Sequence, residues 1–377
     1  SVQPCYRQVL DAADWVLASD QEHRTEKNWI VYRGTELRGE LMKQYHQKFS
    51  GVTPHRILIH LPSEAISPAG YSWFNSFAEA LSYVGVPVRT LSWDDNSGKV
   101  FDSFKPTIFL TSDAVDYLSR LDWPFIAQYR AKYLCSLGLT ASLQEYGNSP
   151  LWERLDWARR HRVSFYYSFR PAEYLQTRRE YQPFYDEGYR ILTLEFAANP
   201  IHHYPVSSSR KLADYVFLGS SNPDKWPRYC EFFHGIIKKY NGFVAGPGWP
   251  FANGYIMNAA RDRFVYSLAR IGLNLSINEQ IQWPCELNER TYILAACGIP
   301  QLLDNPALLP ARFSAGSVFS ADSGRAYCRL FENMLADPGE CEARAVRALE
   351  EVFAQHTLFH RIDSFLQQLQ LLESSTG

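Results

Sequence analysis

Paired cysteines are the first thing this sequence lacks. Its seven cysteines (Cys5, Cys135, Cys230, Cys285, Cys297, Cys328 and Cys341) are odd in number and scattered, with no C-x-x-C. Neither a disulfide framework nor a zinc ribbon is indicated, and a reducing cytoplasm is the expected compartment. No apolar run approaches the roughly 20 residues that cross a bilayer, and the N-terminus has no basic-then-apolar leader pattern. An excess of either charge is also missing. With 38 basic and 40 acidic residues the formal net charge is −2, which argues against a protein that holds nucleic acid by broad cationic attraction. No repeat of fixed period or low-complexity tract is visible. Starting at Ser1 rather than Met, the chain reads as trimmed or as one piece of a longer polypeptide.

What is present is the balance of a globular protein, 46% hydrophobic and 21% charged. At 377 residues it exceeds the size at which one core keeps growing, so two domains are expected. Aromatic residues reach 15%; they stack on sugars and bases but also fill cores, so the count alone is weak support for a carbohydrate site.

Periodicity gives the order of elements. Amphipathic spacing over Glu26–Lys48 predicts a helical segment ahead of the first strand. Strands are then predicted at Arg56–Leu61, Val86–Trp93, Pro106–Leu110, Tyr133–Leu139, Val163–Phe169 and Arg190–Phe196, with helices at Tyr71–Val84, Ala114–Leu121, Leu151–His161 and Ala172–Tyr185 between them. Residues 199–211, NPIHHYPVSSSRK, break the alternation and read as a solvated linker carrying His202 and His203. A second series follows: strands at Tyr215–Leu218, Phe243–Ala245, Leu273–Ile277, Pro300–Leu303 and Ser317–Ser320, with helices at Lys225–Lys239 and near Ala260–Arg270. Three helices close the chain, Gly324–Leu335, Glu340–Phe353 and Thr357–Leu372. Strands alternating with helices at this spacing imply parallel sheets covered on both faces. Two of them in tandem predict a bilobed α/β protein with a cleft, the usual place for a small ligand.

Residues 272–300 are the most informative stretch. They read as a strand, a polar loop gathering Asn278, Glu279, Glu286, Asn288, Glu289 and Arg290, and a helix closed by Gly298. The carboxyl end of a strand then meets the amino end of a helix, where backbone N–H groups and the helix dipole favour phosphate. Arg290 adds a forked cation, and Thr291 a hydroxyl and a backbone N–H. The alternative is an ordinary cap, with Asn288 at N-cap and Glu289 complementing the dipole. Gly219, Ser220 and Ser221 form a small turn that would let a diphosphate approach the backbone. Gly246 and Gly248 end the next strand, and Trp249 beside them either stacks on a nucleotide or belongs to a rigid turn.

Three segments carry a family resemblance: ARIGLNLSIN at Ala269–Asn278, LNERTYILAACGIPQLLDN at Leu287–Asn305, and AQHTLFHRIDSFL at Ala354–Leu366. In that order and spacing they resemble glycosyltransferases of the group-one C-terminal type, most closely the spore-maturation-protein-like branch. The resemblance covers about a third of the chain. It implies the GT-B architecture, two Rossmann-like parallel-sheet domains facing a central cleft, with nucleotide-sugar bound by the second and acceptor by the first. The chain is accordingly divided into a helical N-terminal extension (1–52), an acceptor domain (53–200), a linker (201–212), a nucleotide-sugar domain (213–355) and a C-terminal helix returning to the first domain (356–377). Many retaining members carry a glutamate that holds the donor ribose where this chain has Ile293, which moves that role to Glu286 or Glu289 or leaves the site altered.

On this reading Arg290 is the phosphate clamp, its alternative being a salt bridge to a nearby carboxylate. Glu64 and Asp113, at strand ends of the first domain, are candidate general bases, or simply caps. His356 and His360, one helical turn apart, read as packing residues rather than a metal pair. No D-x-D occurs, and that motif binds manganese in the other large glycosyltransferase fold, so the expectation is metal-independent transfer needing no cofactor beyond a nucleotide-diphosphate sugar. Expected partners are that donor and a glycan, lipid-linked or protein acceptor, not nucleic acid; the amphipathic start leaves room for membrane-surface docking. The alternatives are an epimerase or hydrolase of the same fold, and a non-catalytic glycan-binding module of a larger protein.

Overall fold

A computed structural model describes residues 28–141, 150–207, 211–249 and 257–375. They form two compact units, one of residues 43–195 with 358–375, the other of residues 28–42 with 196–357.

The first unit is built on six parallel strands, β1 Ile57–Leu61, β2 Val88–Ser92, β3 Ile108–Ser112, β4 Ser136–Thr140, β5 Phe165–Ser168 and β6 Ile191–Thr193, in the order β2-β1-β3-β4-β5-β6. The inner strands are buried along almost their whole length because helices cover both faces, whereas the edge strand β2 is only partly buried. The C-terminal helix Leu358–Ser374 belongs here: Phe359 stacks on Tyr83 at 5.1 Å and Phe365 meets Phe77 edge-on at 6.4 Å. Its Gln368 accepts from the Thr193 N–H at 2.7 Å and donates to the Thr193 carbonyl at 3.0 Å, so one side-chain amide stands in for the missing neighbour of edge strand β6.

The second unit has five parallel strands, β7 Ala213–Leu218, β8 Gly242–Ala245, β9 Ala269–Leu273, β10 Gln301–Asp304 and β11 Phe319–Ala321, in the order β11-β10-β9-β7-β8. One face is packed by Val216, Leu218, Phe264 and Leu294, the other by Phe217, Phe233, Ile271, Leu273 and Phe331. From β7 the chain crosses to β8 on one side and then to β9 on the other, so the carboxyl ends of β7 and β9 form the switch point of this sheet. The helix Trp29–Tyr45 adds to this unit over its first three turns: Arg38 donates to the carbonyls of Pro200 at 2.7 Å and Ile201 at 3.1 Å, and Arg33 meets Glu350 at 2.8 Å.

Three local expectations are corrected. The strand expected at 273–277 lies at Ala269–Leu273: the Asn274 N–H still reaches the Leu302 carbonyl of the next strand at 2.9 Å, but the Ser276 N–H turns to the Asp304 carboxylate and the ladder stops. The loop after it contains a helical turn, Asn278–Gln282, closed by Gln280 Oε1 accepting from the Ile277 N–H at 3.1 Å. The linker is not solvated at His203, which is 3% exposed and accepts at Nδ1 from the Asn199 N–H at 3.0 Å; burial holds it in the neutral form, down to about 3.

Candidate functional site

The carboxyl ends of β7 and β8 are joined through their turns. Gly219 N–H donates to the Ala245 carbonyl at 2.8 Å, Ser221 N–H to that of Pro247 at 2.7 Å, and the Trp249 indole N–H to that of Gly219 at 2.8 Å. Gly246 has φ +135° and a Cβ there would lie 2.2 Å from the Gly219 oxygen, so only glycine permits the approach. Trp249 is held on the turn, edge-on to Tyr229 at 4.9 Å and to Phe217 at 5.7 Å. Gly248 lies against the Ser221 carbonyl, Ser220 is exposed, and Ser221 is half-buried.

Behind β9, Asn288 caps the helix Glu289–Ala296. Its Oδ1 accepts from the Thr291 N–H at 3.1 Å and the Thr291 hydroxyl at 3.0 Å, while its Nδ2 donates to the Leu275 carbonyl and to Asn274 Oδ1, both at 3.0 Å. Thr291 also accepts from Asn274 at 3.1 Å and is fully buried. Both residues therefore serve the cap in this structure. Gly298, at φ +68°, ends the helix with its N–H on the Ala295 carbonyl at 3.1 Å.

Arg290 leaves the first turn of that helix and crosses to β7. Its Nε donates to the Leu218 carbonyl at 2.8 Å, its Nη1 to Asn274 Oδ1 at 3.3 Å, and its guanidinium lies 4.3 Å from the Phe217 ring centre. A Cβ on Gly219 would fall 2.0 Å from Nη2, so the glycine makes the space the guanidinium fills. Among the described residues Arg290 has no carboxylate partner; its charge rests on neutral acceptors and a ring face at the switch point.

Sequence reasoning missed the cations beside it. Lys225 ends the turn that begins at Gly219, and its Nζ donates to the Leu275 carbonyl at 3.4 Å. Burial, together with the Arg290 and Arg228 charges, pushes it down to about 8, with Asp304 and Glu286 pulling the other way. Asp304 ends β10 fully buried, accepting from the Ser276 N–H at 2.9 Å, the Ser276 hydroxyl at 2.8 Å and Arg228 Nη2 at 2.6 Å. The available signal was positional: Lys225 is the one basic residue between the end of β7 and the next helix.

The remaining candidates are dispersed. Asn278 is exposed at the start of its helical turn, and Glu286 accepts from Gln280 Nε2 at 3.0 Å. Glu289 is half-buried with no side-chain hydrogen bond or ion pair among the described residues, and burial pushes it up to about 7 against the pull of Arg290. Glu64 and Asp113 belong to the other unit. Glu64 is exposed in the loop after β1, whereas Asp113, 4% exposed after β3, is bound at Oδ2 by Arg154 Nε at 2.6 Å. Burial raises Asp113 to about 6 even so, with Arg154 opposing. His356 and His360 do not share a helix: His356 follows the end of Pro338–Gln355 with Nε2 2.9 Å from the Arg312 carbonyl, and His360 lies edge-on to Tyr45 in the next helix.

Residues 228–367 match the family model described as glycosyl transferase-like. No curated protein matches the chain in sequence. Among solved structures, it is similar to T4 phage BGT in complex with UDP-glucose, at 10% identity and TM-score 0.54, over 84% of this chain and 99% of that one. It is similar to an α-glucosyltransferase in complex with UDP and a 13-mer DNA, at 12% identity and TM-score 0.58, over 85% and 100%. Anabaena Alr3699/HepE in complex with UDP and glucose gives 11% identity and TM-score 0.55, again over 85% and 100%. These likenesses establish the GT-B fold.

Proposed function

We propose that this protein is a glycosyltransferase that takes a sugar from a nucleotide-diphosphate donor held at the β7/β9 switch point. One observation carries the reading: Arg290 brings a guanidinium to that point with no carboxylate among the described residues bonded to it. A half-buried cation satisfied only by neutral acceptors attracts an anion of matching geometry, and a diphosphate offers paired oxygens. Lys225 supplies a second charge nearby, and the Gly219-Ser220-Ser221 turn keeps side-chain bulk small.

In transfer, an acceptor hydroxyl attacks the anomeric carbon, the bond from that carbon to the diphosphate oxygen breaks, and the hydroxyl proton passes to a base. Negative charge grows on the departing diphosphate, and Arg290, Lys225 and the amino end of the Glu289–Ala296 helix stabilise it. The proposed chemistry needs no metal or other cofactor. The complexes named above contain UDP or UDP-glucose, which makes a UDP-sugar the first donor to test. A glycan, lipid-linked or protein hydroxyl is the proposed acceptor; the near-neutral chain favours these over nucleic acid. Among the described residues no helix is long and apolar enough to cross a membrane, and cytoplasmic action with peripheral membrane contact fits the proposal.

Calorimetry with UDP and UDP-glucose tests it. Arg290→Ala should weaken UDP binding by roughly tenfold or more and lower turnover accordingly. Unchanged affinity and turnover would remove Arg290 from this role.

A further inference from the structure

Among the described residues, four that are not glycine hold a positive φ, and three of these stand along one edge of the first sheet. Lys105 (φ +52°) closes the helix Ser97–Phe104, Leu134 (φ +53°) closes Trp123–Tyr133, and Arg162 (φ +53°) follows His161, the cap of Leu151–Arg160. Each ends a helix just ahead of a strand, and those strands, β3, β4 and β5, are neighbours. Left-handed helix ends usually fall to glycine or asparagine, because a Cβ crowds the following carbonyl. Here a lysine, a leucine and an arginine take them.

These side chains gain nothing inside the protein that would offset the strain. Leu134 is 86% exposed, and Lys105 and Arg162 are exposed with no ion pair or side-chain hydrogen bond among the described residues. A cation at a helix carboxyl end complements the dipole, which accounts for the lysine and the arginine. It does not account for an exposed leucine between them, and an outlier of this kind points to work at the surface.

The turns are fastened into a row. Arg130 donates to the carbonyls of Cys135 at 2.8 Å and of His161 and Arg162 at 2.6 Å, tying the entrance of β4 to that of β5. Arg56, just ahead of β1, donates to the Phe104 carbonyl through Nε at 3.0 Å and Nη2 at 2.7 Å, tying the entrances of β1 and β3. With adjacent strands about 4.8 Å apart, the four entrances make a band roughly 15 Å long. Lys132, also exposed, stands 5.0 Å over the ring of Tyr133 beside Leu134. Against these cations, Asp102 is exposed in the last turn of Ser97–Phe104, while Glu187, ahead of β6, is already paired with Arg159 at 2.9 Å. The positive charge is local, since the whole chain has a net charge of −2.

We propose that this amino edge of the first sheet docks on an anionic lipid bilayer, with Leu134 entering the interface and Arg56, Lys105, Lys132 and Arg162 facing the headgroups. A nucleic-acid backbone would satisfy the cations but leave the leucine in water. The carboxyl edge of the sheet, where ligands of parallel sheets bind, lies at the other end of the strands and stays open. This inference is independent of the nucleotide reading of the second unit.

Cosedimentation tests it, with vesicles of phosphatidylcholine alone and of phosphatidylcholine with phosphatidylglycerol. The intact chain should sediment with the second and not with the first, and raised salt should release it. Lys132→Ala combined with Arg162→Ala should weaken binding roughly tenfold or more, since each cation near a charged bilayer contributes about fivefold. Leu134→Asn should weaken it roughly tenfold as well. Asparagine suits the left-handed turn, so thermal melts of that variant should stay at or above the parent's, separating membrane binding from folding. Sedimentation with neither vesicle, equal sedimentation with both, or undiminished binding in either variant overturns the proposal. Binding confined to duplex DNA, run in parallel, overturns it too and would assign the edge to a phosphate backbone.

Discussion

The two sheets share one architecture, yet their carboxyl edges treat charge in opposite ways. After β3 of the first sheet, Asp113 and Arg154 are buried and neutralise each other at 2.6 Å. At the β7/β9 switch point of the second, among the described residues, Arg290 and Lys225 bond only neutral oxygens, those of Leu218, Asn274 and Leu275. An internal ion pair answers to stability. Cations held by neutral dipoles remain available to an external anion. A doubly wound sheet supplies the crevice in either case, and the pairing of charges decides which crevice is prepared for a diphosphate.

The sharpest way to break this contrast is to remove one partner of the internal pair. Arg154→Met should leave Asp113 buried and unpaired and cost about 3–5 kcal/mol in urea unfolding, with UDP affinity of the folded protein unchanged. The loss should shrink as pH falls, because burial raises Asp113 from its ordinary 3.8 to about 6 even with Arg154 opposing. Without Arg154 the carboxyl should take its proton at a higher pH still, and protonation removes the uncompensated charge. A variant as stable as the parent at neutral pH would show the pair to be dispensable.

A smaller effect sharpens the other side of the contrast. Gly219→Ala places a Cβ where Arg290 Nη2 lies, so the guanidinium must move; UDP binding should weaken roughly tenfold, approaching the loss in Arg290→Ala. In an Arg290→Ala background the same change should add little, and an additive loss in the double variant would show that Gly219 acts apart from Arg290.

The least effect at neutral pH is expected from Lys225→Arg. Lys225 loses its proton as pH rises through about 8, so affinity of the parent chain for UDP should fall between pH 7 and 9. Arginine stays charged over that range and should flatten the profile. A parent profile that is already flat would take Lys225 out of the anion site.

Much of the fold was legible because apolar periodicity survives translation into parallel sheets. The eleven strands among the described residues can all be found in the sequence as short apolar runs between helical patterns, with boundaries off by a few residues. The largest slip came at β9, where Asn274 and Ser276 sit in an apolar run that looks like strand; their side chains instead bond Asn288, Thr291 and Asp304. His203 was misread in the same way, since a Pro- and Ser-rich stretch looks solvated until its packing is known.

The site was legible by position rather than by partner. Arg290, Gly219 and Gly246 could be singled out because strand-to-helix turns with small or forked residues have a known chemistry. Asn288 and Thr291 stood out for the same reason, yet the structure engages them in the cap, and Lys225 went unnoticed because a lone lysine in a turn carries no pattern.

What the amino-acid order determined by itself was the alternation of elements, the two-sheet α/β class and the strand-to-helix turns, since these follow from local spacing of apolar, small and polar residues. Only the tertiary structure decided which charges found partners. Asp113 and Arg154 are 41 residues apart, and Arg290 reaches the Leu218 carbonyl across 72. Whether a cation is neutralised or left for a ligand depends on contacts that exist only once distant strands lie side by side.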